Sequence, residues 1–330
     1  MKIAYKYWTK SKGAGGRIWQ PEDFVVNEVV DRKFLRSFER TGKGVRRVAG
    51  PYSLFLLKKK NMTTHRAIKI ISQKLGIPAN GLGYAGLKDR FAVTTQYVTI
   101  KGAKTDGFEA GDLSLVKVGV TNRHVSVGDL EGNEFKITLH GCKAARLSPV
   151  VKELSKGIPN YFGPQRFGAA GNNHVIGKLL VKRRFDKALG EINRIYGKNY
   201  PSLSAVNKKA LKFFINAYQS WIFNEALNRY MEKNNAPLFA EIPIAGFGTR
   251  LKNGPAGKIL KTILAGEKIK PQDFQIRELN MACRGGVRHA FIKVGVKFYA
   301  MQDGSVTLRF ALPKGCYATN VIREICKNEK

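Results

Sequence analysis

The chain has 330 residues, 43% of them hydrophobic, which is enough for a real core and for two domains or one large one. Lys and Arg number 58 against 24 Asp and Glu, a formal charge of +34. Self-repulsion on that scale opposes compaction unless a polyanion relieves it, so nucleic acid is the first candidate partner and an anionic membrane surface the second. The membrane is the weaker of the two. No apolar run reaches transmembrane length, the N-terminus lacks a signal-peptide core, and the positive charge is not confined to one amphipathic helix. Cys142, Cys283, Cys316 and Cys326 show no metal-ligand spacing and read as reduced thiols of a cytoplasmic protein. The five His residues form no ligand cluster, so no metal site is expected.

In chain order, Ser11-Lys-Gly-Ala-Gly-Gly-Arg17 reads as a mobile basic lead-in whose backbone N–H groups could close on phosphate. Pro21-Glu-Asp-Phe-Val-Val-Asn-Glu28 turns into a strand. Residues 31–50 form a basic, Gly-containing loop. Ser53–Leu57 is a buried strand, and Lys58-Lys-Lys60 reads as its solvated end or as a phosphate contact. Thr64–Leu75 is an amphipathic helix stopped by Gly76 and Pro78.

Gly81-Leu-Gly-Tyr-Ala-Gly-Leu-Lys-Asp-Arg-Phe-Ala-Val-Thr-Thr-Gln96 comes next. Its Gly81, Gly83 and Gly86 match a dinucleotide-binding fingerprint. That motif needs a strand before it and a helix after it, and here the order is reversed. Asp89 sits between Lys88 and Arg90. Flanking cations favour the charged form of a carboxylate, and a carboxylate can serve as nucleophile or base. Taken alone, Asp89 is also what a plain turn would carry.

Strands follow at Thr94–Ile100, Leu113–Val120 and Gly132–Leu139. In the last of these, taken alone, Asn133 reads as a turn residue and Phe135 as core. Ser148-Pro149 opens a helix. Pro159-Asn-Tyr-Phe-Gly-Pro-Gln-Arg-Phe-Gly168 is unusually rich for a loop, and its Arg166 either bonds RNA or pins a domain junction. A helical section reaches Lys233, its longest member spanning Lys208–Lys233 with an aromatic stripe read as core. Strand pattern returns after Arg284-Gly-Gly-Val-Arg-His289, and the chain closes as strand, turn and helix.

Five motifs in order resemble the TruD family of RNA pseudouridine synthases: Pro21–Glu28, Ala85–Gln96, Gly132–Phe135, the run from Pro159, and Phe310–Glu324. The resemblance implies an α+β fold. A catalytic pseudouridine-synthase domain with a mixed, mostly antiparallel sheet would comprise 1–157 and 285–330, and an inserted α/β TruD-specific domain would comprise 158–284. It implies Asp89 as the catalytic residue, with Phe24, Asn133, Phe135 and Tyr317 holding an extruded uracil. The reaction implied is isomerisation of uridine to pseudouridine, at position 13 of tRNA or in other structured RNA, without cofactor, metal or obligate protein partner. One departure stands out. The family places a cation six residues before the Phe of the first motif, where this chain has Ile18 and, one residue earlier, Arg17. Arg17, Lys88, Arg90, Arg166 and Arg288 are therefore candidate active-site or RNA-binding cations, and Arg323 is a further one. A non-catalytic RNA-binding protein on the same fold is the alternative, and a methyltransferase, suggested by the glycines, a further rival.

Overall fold

The computed structural model describes residues 3–31, 34, 38–40, 50–234, 239–251 and 253–328. The basic loop expected over 31–50 thus lies mostly outside the described residues. The chain forms two compact units. A sheet unit comprises Ser11–Lys152, Val294–Ala318 and Ile325–Lys330, and a helical unit comprises Met1–Lys10, Glu153–Lys293 and Thr319–Glu324. The expected insertion, 158–284, falls within the helical unit, which also takes in the N-terminal segment and part of the last helix.

The sheet unit is built on an eleven-stranded sheet. Its strands are β1 (Gly15–Arg17), β2 (Phe24–Val30), β3 (Phe38–Arg40), β4 (Tyr52–Lys60), β5 (Leu82–Tyr84), β6 (Val93–Lys101), β7 (Gly107–Ala110), β8 (Leu113–Thr121), β9 (Leu130–Cys142) and a C-terminal hairpin, Lys297–Ala300 with Val306–Pro313. The order runs from the hairpin through β9, β2, β6, β4 and β8 to β3, with β1 on β9, β5 on β6 and β7 on β8. Only the β2–β6 pairing is parallel among the described strands. The expected mixed, mostly antiparallel sheet of an α+β fold is what forms.

Helix α1 (Thr64–Leu75) packs Ala67, Ile68 and Ile71 against Phe55, Leu57, Val98 and Ile100. Its start is fixed by Thr63, whose side chain accepts from Arg66 N, and its end by Gly76 at φ 63°. The expected lead-in of Ser11–Arg17 is instead ordered. Gly15–Arg17 pairs with β9, buried Ala14 donates its N–H to Ile325 O at 2.8 Å, and a side chain at Gly13 would meet Cys326 O at 2.5 Å.

The helical unit centres on Lys208–Glu232, whose buried face carries Leu211, Phe214, Ile215, Tyr218, Ile222, Phe223 and Leu227. Buried polar residues on the same helix act as surrogate backbone. Asn224 accepts from Phe162 N at 2.9 Å and donates to Phe162 O at 3.0 Å. Gln219 donates to Ala245 O and Arg284 O, and Asn228 donates to Ala4 O while accepting from Tyr161. The N-terminal segment is tied down by fully buried Glu324, which accepts from Trp8 N, Thr9 N and Thr9 Oγ1.

Candidate active site

Strand register places Phe24, Asn133 and Phe135 on one face of the sheet unit. Val26 pairs with Thr94 on β6 and with Phe135 on β9. Thr94 pairs in turn with Lys59 on β4, and Phe135 with Phe310. One row across five strands therefore reads Lys59, Thr94, Val26, Phe135, Phe310. The neighbouring row holds Glu28 opposite Asn133, and Phe24 pairs with Ile137 on the other side. Cross-strand partners share a face, so these side chains project together. Phe24 and Phe135 meet edge to face at 6.1 Å, and Phe135 stacks on Phe310 at 5.2 Å.

The Asp89 loop lies against this face, and buried polar side chains hold its backbone. Lys59 donates from Nζ to Asp89 O at 2.8 Å and to Met62 O at 2.6 Å. Thr64 accepts from Lys88 N at 2.9 Å through Oγ1. Gln96 donates to Gly86 O at 3.2 Å, and its own Oε1 accepts from Thr64. Asn61 N adds a backbone bond to Ala92 O. The Lys88 ammonium lies 2.5 Å from the Glu28 carboxylate, with both side chains almost wholly buried. Burial pushes the Glu28 carboxyl above its ordinary range, and Lys88 pulls in the opposite direction. Fixed in this way, the loop leaves Asp89 half-buried between exposed Leu87 and Phe91. Gly83 serves packing rather than phosphate, since a side chain there would strike Thr99 Oγ1 at 2.5 Å, and a helix precedes the glycines and a strand follows them.

Asn133 carries a second signature of a ligand site. Its Oδ1 is buried and has no hydrogen-bond partner. A buried acceptor left open costs about 1–3 kcal/mol, a penalty that a bound donor removes. The N3–H of a uracil is such a donor. Tyr317 is half-buried at the head of the helix Ala318–Cys326, just beyond the strand whose Leu312 pairs with Asn133.

The cations divide. Lys88 is anchored beside Asp89, and Arg90 is exposed on the same loop. Arg17 sits opposite His140, on the face of β9 that points away from Phe135, so the one-residue offset carries it off the Asp89 face. Arg166 and Arg288 belong to the helical unit. There Arg288 bonds Asn160 O and Oδ1 and lies 4.3 Å over the Phe162 ring. Arg166 stacks on Phe162 and Phe213. Arg323, also a candidate from sequence, is enclosed by Tyr5, Tyr7 and Tyr161 at 5.1–5.3 Å.

Lys59 was missed. The run Lys58–Lys60 reads as a solvated end, yet Lys59 is fully buried while Lys58 is exposed. Strand alternation carried the signal, because Phe55, Leu57 and Lys59 share a parity and hence a face.

Comparisons with known proteins agree with this architecture. The family model for tRNA pseudouridine synthase D (TruD) matches residues 3–199 and 233–325. The probable tRNA pseudouridine synthase D of Thermococcus sibiricus is 30% identical over 426 residues, covering 98% of each chain. The tRNA pseudouridine synthase D of Aquifex aeolicus is 30% identical over 391 residues, covering 94% of this chain and 98% of that one. In fold, a crystal structure of a TruD protein from Methanosarcina mazei superposes with a TM-score of 0.74 at 24% identity, over 99% of this chain and 97% of that one. The chain belongs to the tRNA pseudouridine synthase D family.

Proposed function

We propose that this protein isomerises uridine to pseudouridine in tRNA in the cytoplasm, with position 13 as the target and Asp89 as the catalytic group. The observation that carries this reading is half-buried Asp89 on a loop immobilised by Lys59, Thr64, Gln96 and Glu28. Beside it stands an aromatic face that carries an open acceptor, Asn133 Oδ1. The uridine is swung out of its helix, as enzymes acting on a base require. Phe24, Phe135 and Tyr317 hold the ring, and Asn133 accepts its N3–H. Asp89 acts at the sugar, by attack at C1′ or by removal of the 2′ proton, and the N1–C1′ bond breaks. The detached base rotates and C5 bonds to C1′, displacing Asp89 from C1′ on the first route and returning the proton from Asp89 to C2′ on the second, and the C5 proton leaves to solvent as N1 gains one. Composition and oxidation state are unchanged, so the reaction needs no cosubstrate. The charge of +34 supplies attraction for the phosphates.

The test is tritium release from tRNA transcript labelled at uridine C5. Wild-type protein alone releases tritium, and Asp89→Ala and Asp89→Asn do not. Release by either variant removes Asp89 from the chemistry. Silence of the wild type on every tRNA favours an RNA-binding protein without catalysis.

A further inference from the structure

We infer that Lys59 is the positioning residue of the reaction: its buried ammonium both fixes the Asp89 backbone and supplies the positive field under the carboxylate. The inference rests on the assignment of the chemistry to Asp89. Lys59 shows no accessible surface, and its Nζ lies 2.8 Å from Asp89 O and 2.6 Å from Met62 O. A lysine is among the residues least often fully buried, because removing its charge from water is expensive. Two carbonyl acceptors are a thin replacement for hydration. An apolar side chain would fill the same space in the row of Thr94, Val26 and Phe135 without that penalty.

The charged groups that face Lys59 explain the placement. Lys88 and Asp89 come from the loop above it, and Glu28 comes from β2. Lys88 is already matched with Glu28. Asp89 is the anion that stabilises the charged form of Lys59, while Lys88 opposes it. Loss of hydration is the largest influence and lowers the Lys59 pKa to about 8. The ammonium therefore sits close to its titration point under ordinary conditions. A neutral amine keeps two N–H groups, so both hydrogen bonds survive deprotonation and only the field disappears. The hydrogen-bonding role and the electrostatic role thus come apart along the pH axis.

Stability runs the other way. Unfolded, Lys59 titrates near 10.5, and folded, near 8. Between those values the unfolded chain binds more protons, so this group's contribution to stability rises with pH. An alkaline loss of activity arising from Lys59 is therefore not an unfolding effect.

The experiment measures single-turnover tritium release from C5-labelled tRNA between pH 6.5 and 9.5, with Tm and tRNA Kd at each pH. Wild type is expected to lose rate by about tenfold per pH unit above about 8, the form given by one essential protonated group. Its tRNA Kd should follow no such limb. Lys59→Met is expected to be at least ~100-fold slower, the scale of a misplaced catalytic group, and to show no limb near pH 8. A wild-type rate that stays level from pH 7 to 9 overturns the inference. So does a Lys59→Met variant within a few-fold of wild type, or one retaining the wild-type limb. Should Lys59→Met not fold, the wild-type profile decides. Activity in Asp89→Asn would instead remove the reading on which the inference rests.

Discussion

Two buried polar networks in this protein look alike and differ in one respect. On the long helix of the helical unit, Asn224 gives and takes hydrogen bonds with a single residue, Phe162, and Gln219 and Asn228 likewise end on protein backbone. Around Asp89, Lys59, Thr64 and Gln96 also end on backbone. What they hold, however, is half-buried Asp89, and the adjacent Asn133 Oδ1 is left without a partner. The first network closes on itself and the second is closed on one side only. A closed network specifies architecture, whereas one with an acceptor left open implies a missing participant.

Variants can break this contrast. Asp89→Asn should lower turnover by roughly 10⁴-fold with little change in Tm, since a carboxylate with a chemical role gives up its function rather than the fold. A comparable fall in Tm would mean that the Asp89 network is architecture too. Asn224→Ala should behave oppositely. It strands the N–H and C=O of Phe162, at about 1–3 kcal/mol each, and so lowers Tm by several degrees. The turnover of the protein that remains folded should hold steady, and a catalytic defect at unchanged Tm would reverse the two roles.

Asn133→Leu sharpens the contrast. It removes an acceptor the free protein does not use, so stability should stay level or rise slightly. Affinity for tRNA or turnover should fall by about tenfold, the value of one good hydrogen bond. A stability loss without a catalytic effect would show that Oδ1 serves the fold.

The smallest effect concerns acid. Burial raises the Asp129 pKa, but bonds from Arg123 and Ser126 outweigh it and hold the carboxyl below its ordinary 3.8. The stability it contributes is present above 3.8 and is lost as pH falls through the lower folded value. Asp129→Asn should flatten the acid limb of Tm against pH by a small amount and leave turnover at pH 7 as it was.

Much of the fold was legible. Thr64–Leu75 was readable to the residue, because an apolar period and a terminating Gly agree. The strand that follows Asp89 and the strand that carries Asn133 were readable from alternation. Other features were not. Lys59 and Glu28 are charged residues at inward positions, and a reading by residue type sends both to solvent although their parity points inside. The order of Ser11–Arg17 comes from contacts with Cys142 and Ile325, far away in sequence, which no local pattern encodes. Arg323 fails for the same reason. Whether a cation meets phosphate or a ring of tyrosines depends on which segments arrive beside it.

The Glu324 carboxylate has a consequence for how the molecule is made. It receives the N–H of Trp8 across a separation of 316 residues. At about 5–20 residues per second, a ribosome needs roughly 15–60 s to travel that distance. During that interval the Trp8 and Thr9 amides emerge before their native carboxylate acceptor exists and bond water instead, while the strands around Asp89 are already available to pair. Final docking of the leading segment is thus a late event in biogenesis, which ties completion of the helical unit to the synthesis of its last turn.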